Sequence, residues 1–186
     1  MLGTLAIATL AGVLTWSFAE YALHNWYGHL AKGKNEFSRE HLLHHARYLY
    51  FASTRKKAIT AGAAMVVVAP LAVLIAGVAA GVAYSIGFVS MYVVYEWLHR
   101  RSHTHAPIGP YGRWLRRHHF YHHFGNPKHN HGVTSPVWDI VFRTHTWNRP
   151  EPVRIPRQMA MMWLVDESGA IKPRYQSDYV LSGRAA

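Results

Sequence analysis

A chain of 186 residues without cysteine excludes disulfides, thiolate-ligated iron–sulfur clusters and zinc ribbons, and it leaves fifteen histidines as the main transition-metal ligands. Twenty Lys and Arg against nine acidic residues give a net charge of +11 with histidine neutral. That balance suits nucleic acid, anionic lipid or an acidic protein partner, and the length suits one domain of ordinary size.

Residues 2–23, LGTLAIATLAGVLTWSFAEYAL, carry one charge, Glu20. As a helix this stretch spans about 33 Å, close to the hydrocarbon thickness of a bilayer. No Lys or Arg precedes it, so it lacks the basic start of a secretory signal peptide. From Ala58 to Leu98 the chain again carries a single charge, Glu96. One helix of that length would reach about 60 Å, twice a bilayer, so two crossings are predicted, at roughly 58–76 and 82–98. The glycines at 77 and 81 mark the turn between them, and Pro70 is expected to kink the first. Neither apolar run shows a polar face of period 3.6, which argues against a soluble helical core.

The expected fold is therefore all-α: an integral-membrane helical protein with about three transmembrane helices and a cytoplasmic helical cap. Residues 1–150 form its metal-binding domain, with polar segments at 24–57 and 99–150. Residues 151–186, with prolines at 152, 156 and 173, are expected as a tail that lies at the interface through MAMMWLV and then frays. Crossing parity puts residues 24–57 and everything from Leu98 onward on one side. All fifteen histidines and all twenty Lys and Arg lie there. The positive-inside rule makes that side cytoplasmic, with the N-terminus outside, in a bacterial inner membrane or its equivalent. The positive charge then reads as topology and lipid attraction, and no motif for nucleic acid opposes this.

Four histidine clusters follow in order. HNWYGH supplies His24 and His29, HLLHH supplies His41, His44 and His45, HRRSH supplies His99 and His103, and HFYHH supplies His119, His122 and His123. Spacings of three and four place imidazoles on one helix face, where packing gains little and protonation would be repulsive. A metal ion makes such a face worthwhile. The spacing of five in HNWYGH gives about 140° of rotation on an α-helix, so either a break at Gly28 or a π-bulge must re-aim it. Ten histidines exceed the four to six ligands of a first-row ion and fit two ions with open positions. Neutral imidazoles suit redox metals. His105, His118, His129, His131 and His145 are read as ordinary polar residues, with His129 and His131 near enough in sequence to support a ligand. Glu20 precedes His24 by four residues and Glu96 precedes His99 by three, so each is a candidate to accept its histidine's second N–H. The alternative for each is a solvated or lysine-paired carboxylate. Asp139 is a weaker candidate of the same kind, with pairing to a nearby Arg as its alternative.

The order HX4H, HX2HH, HX3H, HX2HH resembles the fatty acid hydroxylase/sterol desaturase superfamily of membrane di-iron enzymes. GVTSPVWDIVFRT at 132–144 resembles that family's closing motif, and EYALH at 20–24 and YEWLH at 95–99 resemble its helix-to-cluster junctions. His118, an extra histidine beside HFYHH, departs from the simplest pattern. The resemblance covers roughly residues 15–145. It implies two Fe ions, with Zn able to take their place on overexpression. It also implies O2 as co-substrate, a membrane lipid substrate, and a separate electron-transfer protein of ferredoxin or cytochrome type, with no fused cytochrome domain. The expected activity is hydroxylation of a fatty acyl or related long-chain lipid. A desaturase or a sterol or carotenoid oxygenase on the same scaffold is the alternative. A metal transporter or sensor is disfavoured, because a transport path needs ionisable groups at mid-membrane.

Overall fold

A computed structural model describes residues 1–146 and 151–183. The ends of two predicted segments, 147–150 of the second polar region and 184–186 of the tail, lie outside these residues. The described chain is mostly helical. Its helices are α1 (Leu2–Ala22), α2 (Glu36–Ala46), α3 (Thr54–Thr104), α4 (Gly109–Phe120) and the short α5 (Val137–Val141). Two π-helical segments, Leu23–His29 and Tyr121–Gly125, continue α1 and α4. The chain divides into two compact units, residues 1–20 with 51–97, and residues 21–50 with 98–186.

In the first unit α3 is two helical arms joined across a kink at Gly77, where the turn of the hairpin was expected. Gly77 leaves helical geometry at φ 78° and ψ 167°, a region that only glycine enters without strain. A Cβ placed on Gly81 would lie 2.5 Å from the Cα of Val73, eight residues earlier. Those positions are about 12 Å apart in a straight helix, so the chain doubles back at Gly77. Lys57 and Glu96 form an ion pair at the open end of the hairpin. Pro70 sits inside the helix without taking the backbone out of helical angles.

α1 packs on the second arm of the hairpin by backbone contact. A Cβ on Gly12 would meet the carbonyl oxygen of Tyr84 at 2.1 Å, and one on Gly87 would meet that of Thr9 at 2.1 Å. Small residues thus set the interhelical distance, as they do between helices in lipid. The alanine-rich stretch 61–64 does not serve this purpose, since Gly62 has open space around it. Trp16 is buried against Phe88 and Tyr92, with ring centroids 5.3 and 4.9 Å away. Apolar side chains elsewhere face outward, Leu74 and Ile75 at 82% exposure each. Leu2–His29 and Thr54–Thr104 are long and apolar enough to cross a membrane, and an apolar outer surface suits lipid rather than water.

The second unit corrects two expectations. It is not all-α: β1 (Val153–Pro156) pairs in parallel with β2 (Tyr179–Ser182), Val153 opposite Tyr179. A parallel pair needs a long connection, which 157–178 supplies. Nor does the segment after 150 fray at the interface. Met161 and Leu164, from the MAMMWLV stretch, are fully buried with Phe120, Ile155, Trp163 and Tyr179. Arg113 ties this segment to α4 through Asp178 at 2.5 Å and Ser177 at 2.9 Å. Aromatic burial of this extent outweighs the local irregularity that the prolines impose.

Candidate metal centre

The second unit brings the ten predicted histidines together in two groups of five. His24, His29, His41, His45 and His122 form one, and His44, His99, His103, His119 and His123 form the other. Within each group, one ring nitrogen from every residue lies within 4.8 Å of all the rest. The two HX2HH helices share their residues crosswise. His41 and His45 of α2 join the first group while His44 crosses to the second. His119 and His123 join the second while His122 crosses to the first. Neighbouring residues on a helix diverge by about 100°, so an adjacent His–His pair cannot aim both rings at one point.

Local backbone explains how HNWYGH converges. Leu23–His29 is π-helical, and the N–H of Leu30 donates to the carbonyl of Asn25 at 2.9 Å, an i to i+5 bond. The wider turn brings His29 back beside His24. Gly28 leaves little room at this point, since a Cβ there would sit 3.1 Å from the His41 ring. Ser38 accepts from the Gly33 N–H and donates to the Gly28 carbonyl, fastening α2 to this segment. The second π-helical segment performs the same adjustment for His122, through Asn126 N–H to Tyr121.

The rings of the first group converge through Nε2. Nε2 of His122 lies 2.8 Å from that of His24, 2.9 Å from that of His29 and 3.1 Å from that of His45. His29 and His41 are 2.8 Å apart and His41 and His45 3.1 Å apart, again through Nε2. Backbone carbonyls fix two tautomers. His24 Nδ1 donates to His131 O at 2.5 Å and His122 Nδ1 donates to His129 O at 2.7 Å. A carbonyl only accepts, so both Nε2 atoms are bare lone pairs facing each other. Burial and the neighbouring imidazoles hold His122 well below its ordinary pKa, which opposes a rescuing proton. The same two causes depress His41, His119 and His123 and push His45 down to about 2. A cation between the rings removes the conflict. Ligands at right angles on bonds of about 2.1 Å stand about 3.0 Å apart, against about 3.4 Å in a tetrahedron. The closely spaced residues therefore fit a metal ion bound between the rings. In the second group His44 and His99 approach to 3.0 Å and His103 and His119 to 2.9 Å. His44 Nδ1 donates to Tyr50 O at 2.8 Å.

The acidic candidates divide. The second N–H of His24 goes to the His131 carbonyl, so a backbone group and not Glu20 fixes that tautomer. Glu96 pairs with Lys57, the lysine-paired alternative. Asp139, the weakest of the three in sequence, is fully buried and accepts from His131 N–H and Gly132 N–H at 2.8 Å each and from Thr144 Oγ at 2.7 Å. Burial would raise its pKa, but contacts from His118, His131, Thr144 and Gly132 hold it well below the usual carboxylate range. His118 and His131 face Asp139 at 3.6 and 3.5 Å, outside both groups of five. The carbonyls of His129, His131 and Tyr50 were invisible in the sequence, because every residue carries one.

A mostly helical protein with two apolar helices and ten convergent imidazoles defines a class: a histidine-cluster protein with membrane-type helices and a candidate metal centre. The chain belongs to the fatty acid hydroxylase family, whose model matches residues 9–144, and its relatives are oxidoreductases. It is 31% identical over 137 residues to the dihydroceramide fatty acyl 2-hydroxylase FAH2 of Arabidopsis thaliana, covering 72% of this chain and 58% of that one. It is 29% identical to the ceramide very long chain fatty acid hydroxylase SCS7 of Saccharomyces cerevisiae, over 72% of this chain and 36% of the yeast protein. The human fatty acid 2-hydroxylase is 27% identical, over 76% of this chain and 40% of its own length. The chain thus spans about two fifths to three fifths of these relatives. The solved structure of full-length scs7p, in which only the hydroxylase domain is visible, superposes with a TM-score of 0.63 at 27% identity, over 78% of this chain and 57% of that one.

Proposed function

We propose that this protein is an O2-dependent, dinuclear-iron hydroxylase acting on the long acyl chain of a membrane lipid, with one ion in each group of five histidines. The observation that carries the proposal is the pairing of bare Nε2 atoms at 2.8 Å in a buried site. The relatives' names favour an acyl chain of the ceramide type, oxidised at the carbon next to the carbonyl. Iron held here supplies activation of O2 and oxidation of an unactivated C–H bond, which side chains cannot do. The chain's own residues hold neutral imidazoles in fixed tautomers and exclude protons from them. In the balanced reaction one oxygen atom enters the C–H bond and the other leaves as water. Two electrons come from a separate ferredoxin- or cytochrome-type carrier, and two protons from solvent.

Incubation with 18O2, a reductant system and a ceramide or fatty acyl substrate is expected to place label in a new hydroxyl group. Oxygen derived from water would instead mean a hydratase or hydrolase. A double bond without a hydroxyl would transfer the activity to the desaturase alternative and leave the metal assignment intact.

The reading includes three membrane crossings, α1 and the two arms of α3, with the histidine groups on the cytoplasmic side. It rests on crossing parity and on the Lys and Arg distribution. With no native cysteine, labelling is clean. An Ala79→Cys variant is expected to react with an impermeant thiol reagent from outside, and Lys34→Cys only after permeabilisation. The reverse pattern would refute the orientation.

A further inference from the structure

The two groups of histidines are supported unequally. One loop, residues 129–132, presents two carbonyls to the first group: His131 O takes the proton of His24 and His129 O that of His122. That loop is held from behind. Asp139 accepts both of its N–H groups at His131 and Gly132, and Thr144 donates to the same carboxylate. Donation runs in one direction along a chain of side chains, from Asn25 to Tyr21 Oη at 2.9 Å, from Tyr21 to Thr144 at 3.1 Å, and from Thr144 to Asp139. Asn130 adds a second tie, accepting from Thr146 N–H at 2.9 Å while its own N–H donates to Thr144 O at 2.9 Å. Its φ of 59° is left-handed, a conformation asparagine tolerates better than most residues. Gly132 completes the fit, since a Cβ there would meet Ser135 O at 2.1 Å. In the second group Nδ1 of His119 and both ring nitrogens of His123 are buried without a hydrogen-bond partner. Backbone carbonyls thus hold two rings of the first group and one of the second, His44 through Tyr50 O.

We infer that Asp139 is a positioning residue for the first group alone, acting through loop 129–132, and that it makes the first group the tighter of two unequal metal sites. The inference rests on the metal reading above. Preorganised ligands bind with less lost freedom, and removing the partner that orients a ligating histidine typically costs about 10–100-fold in metal affinity.

The test is titration of the metal-free, full-length protein in detergent with cobalt(II), following visible absorption against a competing chelator. The wild type is expected to show two classes of site, the tighter one abolished by His29→Ala and the weaker by His103→Ala. Asp139→Asn is expected to weaken the tight class about 10–100-fold and leave the weak class in place. Thr144→Val, which removes one bond to Asp139 and keeps the fold should Asp139→Asn not yield protein, is expected to weaken the same class about 3–10-fold. Equal weakening of both classes, no weakening in either variant, or a tight class that maps to His103 would overturn the inference. A wild type that binds no cobalt would remove the metal reading itself.

Discussion

The His122→Ala variant is expected to lose the same metal ion as His29→Ala, and His44→Ala the same ion as His103→Ala, although His122 and His44 lie on the helices that mainly serve the opposite groups. Metal analysis of protein grown in iron-rich medium should give about two ions per chain for the wild type and about one for each variant, with zinc counted alongside iron. The sharper expectation concerns pairs. His29→Ala with His122→Ala removes two ligands of one site and should still leave about one ion, while His119→Ala with His122→Ala, three residues apart, should leave none. Activity should fall to background in all of them, because the proposed reaction needs both ions. A wild-type content near one, unchanged by His24→Ala or His119→Ala, would rule out the dinuclear arrangement.

A second large effect is expected at Arg116, a residue with no sequence signature. Its guanidinium is buried and donates to the carbonyls of Arg101, His105, Ala106 and Gly112, the first at 2.9 Å. It thus satisfies the end of α3, directly after HRRSH, and its charge complements the negative pole of that helix. Burial lowers its pKa, with Arg101 adding to the effect, yet an arginine stays charged in this range. Arg116→Ala leaves buried carbonyls without donors and is expected to destabilise the fold by about 3–5 kcal/mol. Arg116→Lys should recover little of that, because a point ammonium cannot reach carbonyls spread around a planar fork. Thermal unfolding in detergent, followed by tryptophan fluorescence, checks both. A melting temperature unchanged in Arg116→Ala would show that water or a rearranged turn serves those carbonyls as well.

Much of the site was legible because its chemistry is carried by side chains at helical spacing. HLLHH and HFYHH could be placed on helix faces from the sequence, and the spacing of five in HNWYGH demanded a local change that the structure supplies as a π-helix. The partition of ligands was legible in principle too, since adjacent histidines diverge by about 100°. The supporting carbonyls were not, because their identity depends on which loop folds over the site. Glu20 was proposed from proximity in sequence, but the proton it was assigned had already been claimed from 107 positions away by His131. The reversal at Gly77 was legible from the length of the apolar run together with its glycines at 77 and 81. The buried segment after residue 150 was not: its prolines dominate the local pattern, while its burial depends on Phe120 and on a parallel strand pairing of long range.

The crosswise sharing of histidines also bears on how the protein is made. Before the hairpin of α3 is synthesised, the growing chain already contains four members of the first group, His24, His29, His41 and His45, but only His44 of the second. The fifth member of the first group and the last two of the second arrive together on one short stretch, 119–123. On the proposed reading, neither group would have all five of its histidines until that stretch has left the ribosome. Metal acquisition would then be completed late in biogenesis, when residues 119–123 join the histidines made before the hairpin.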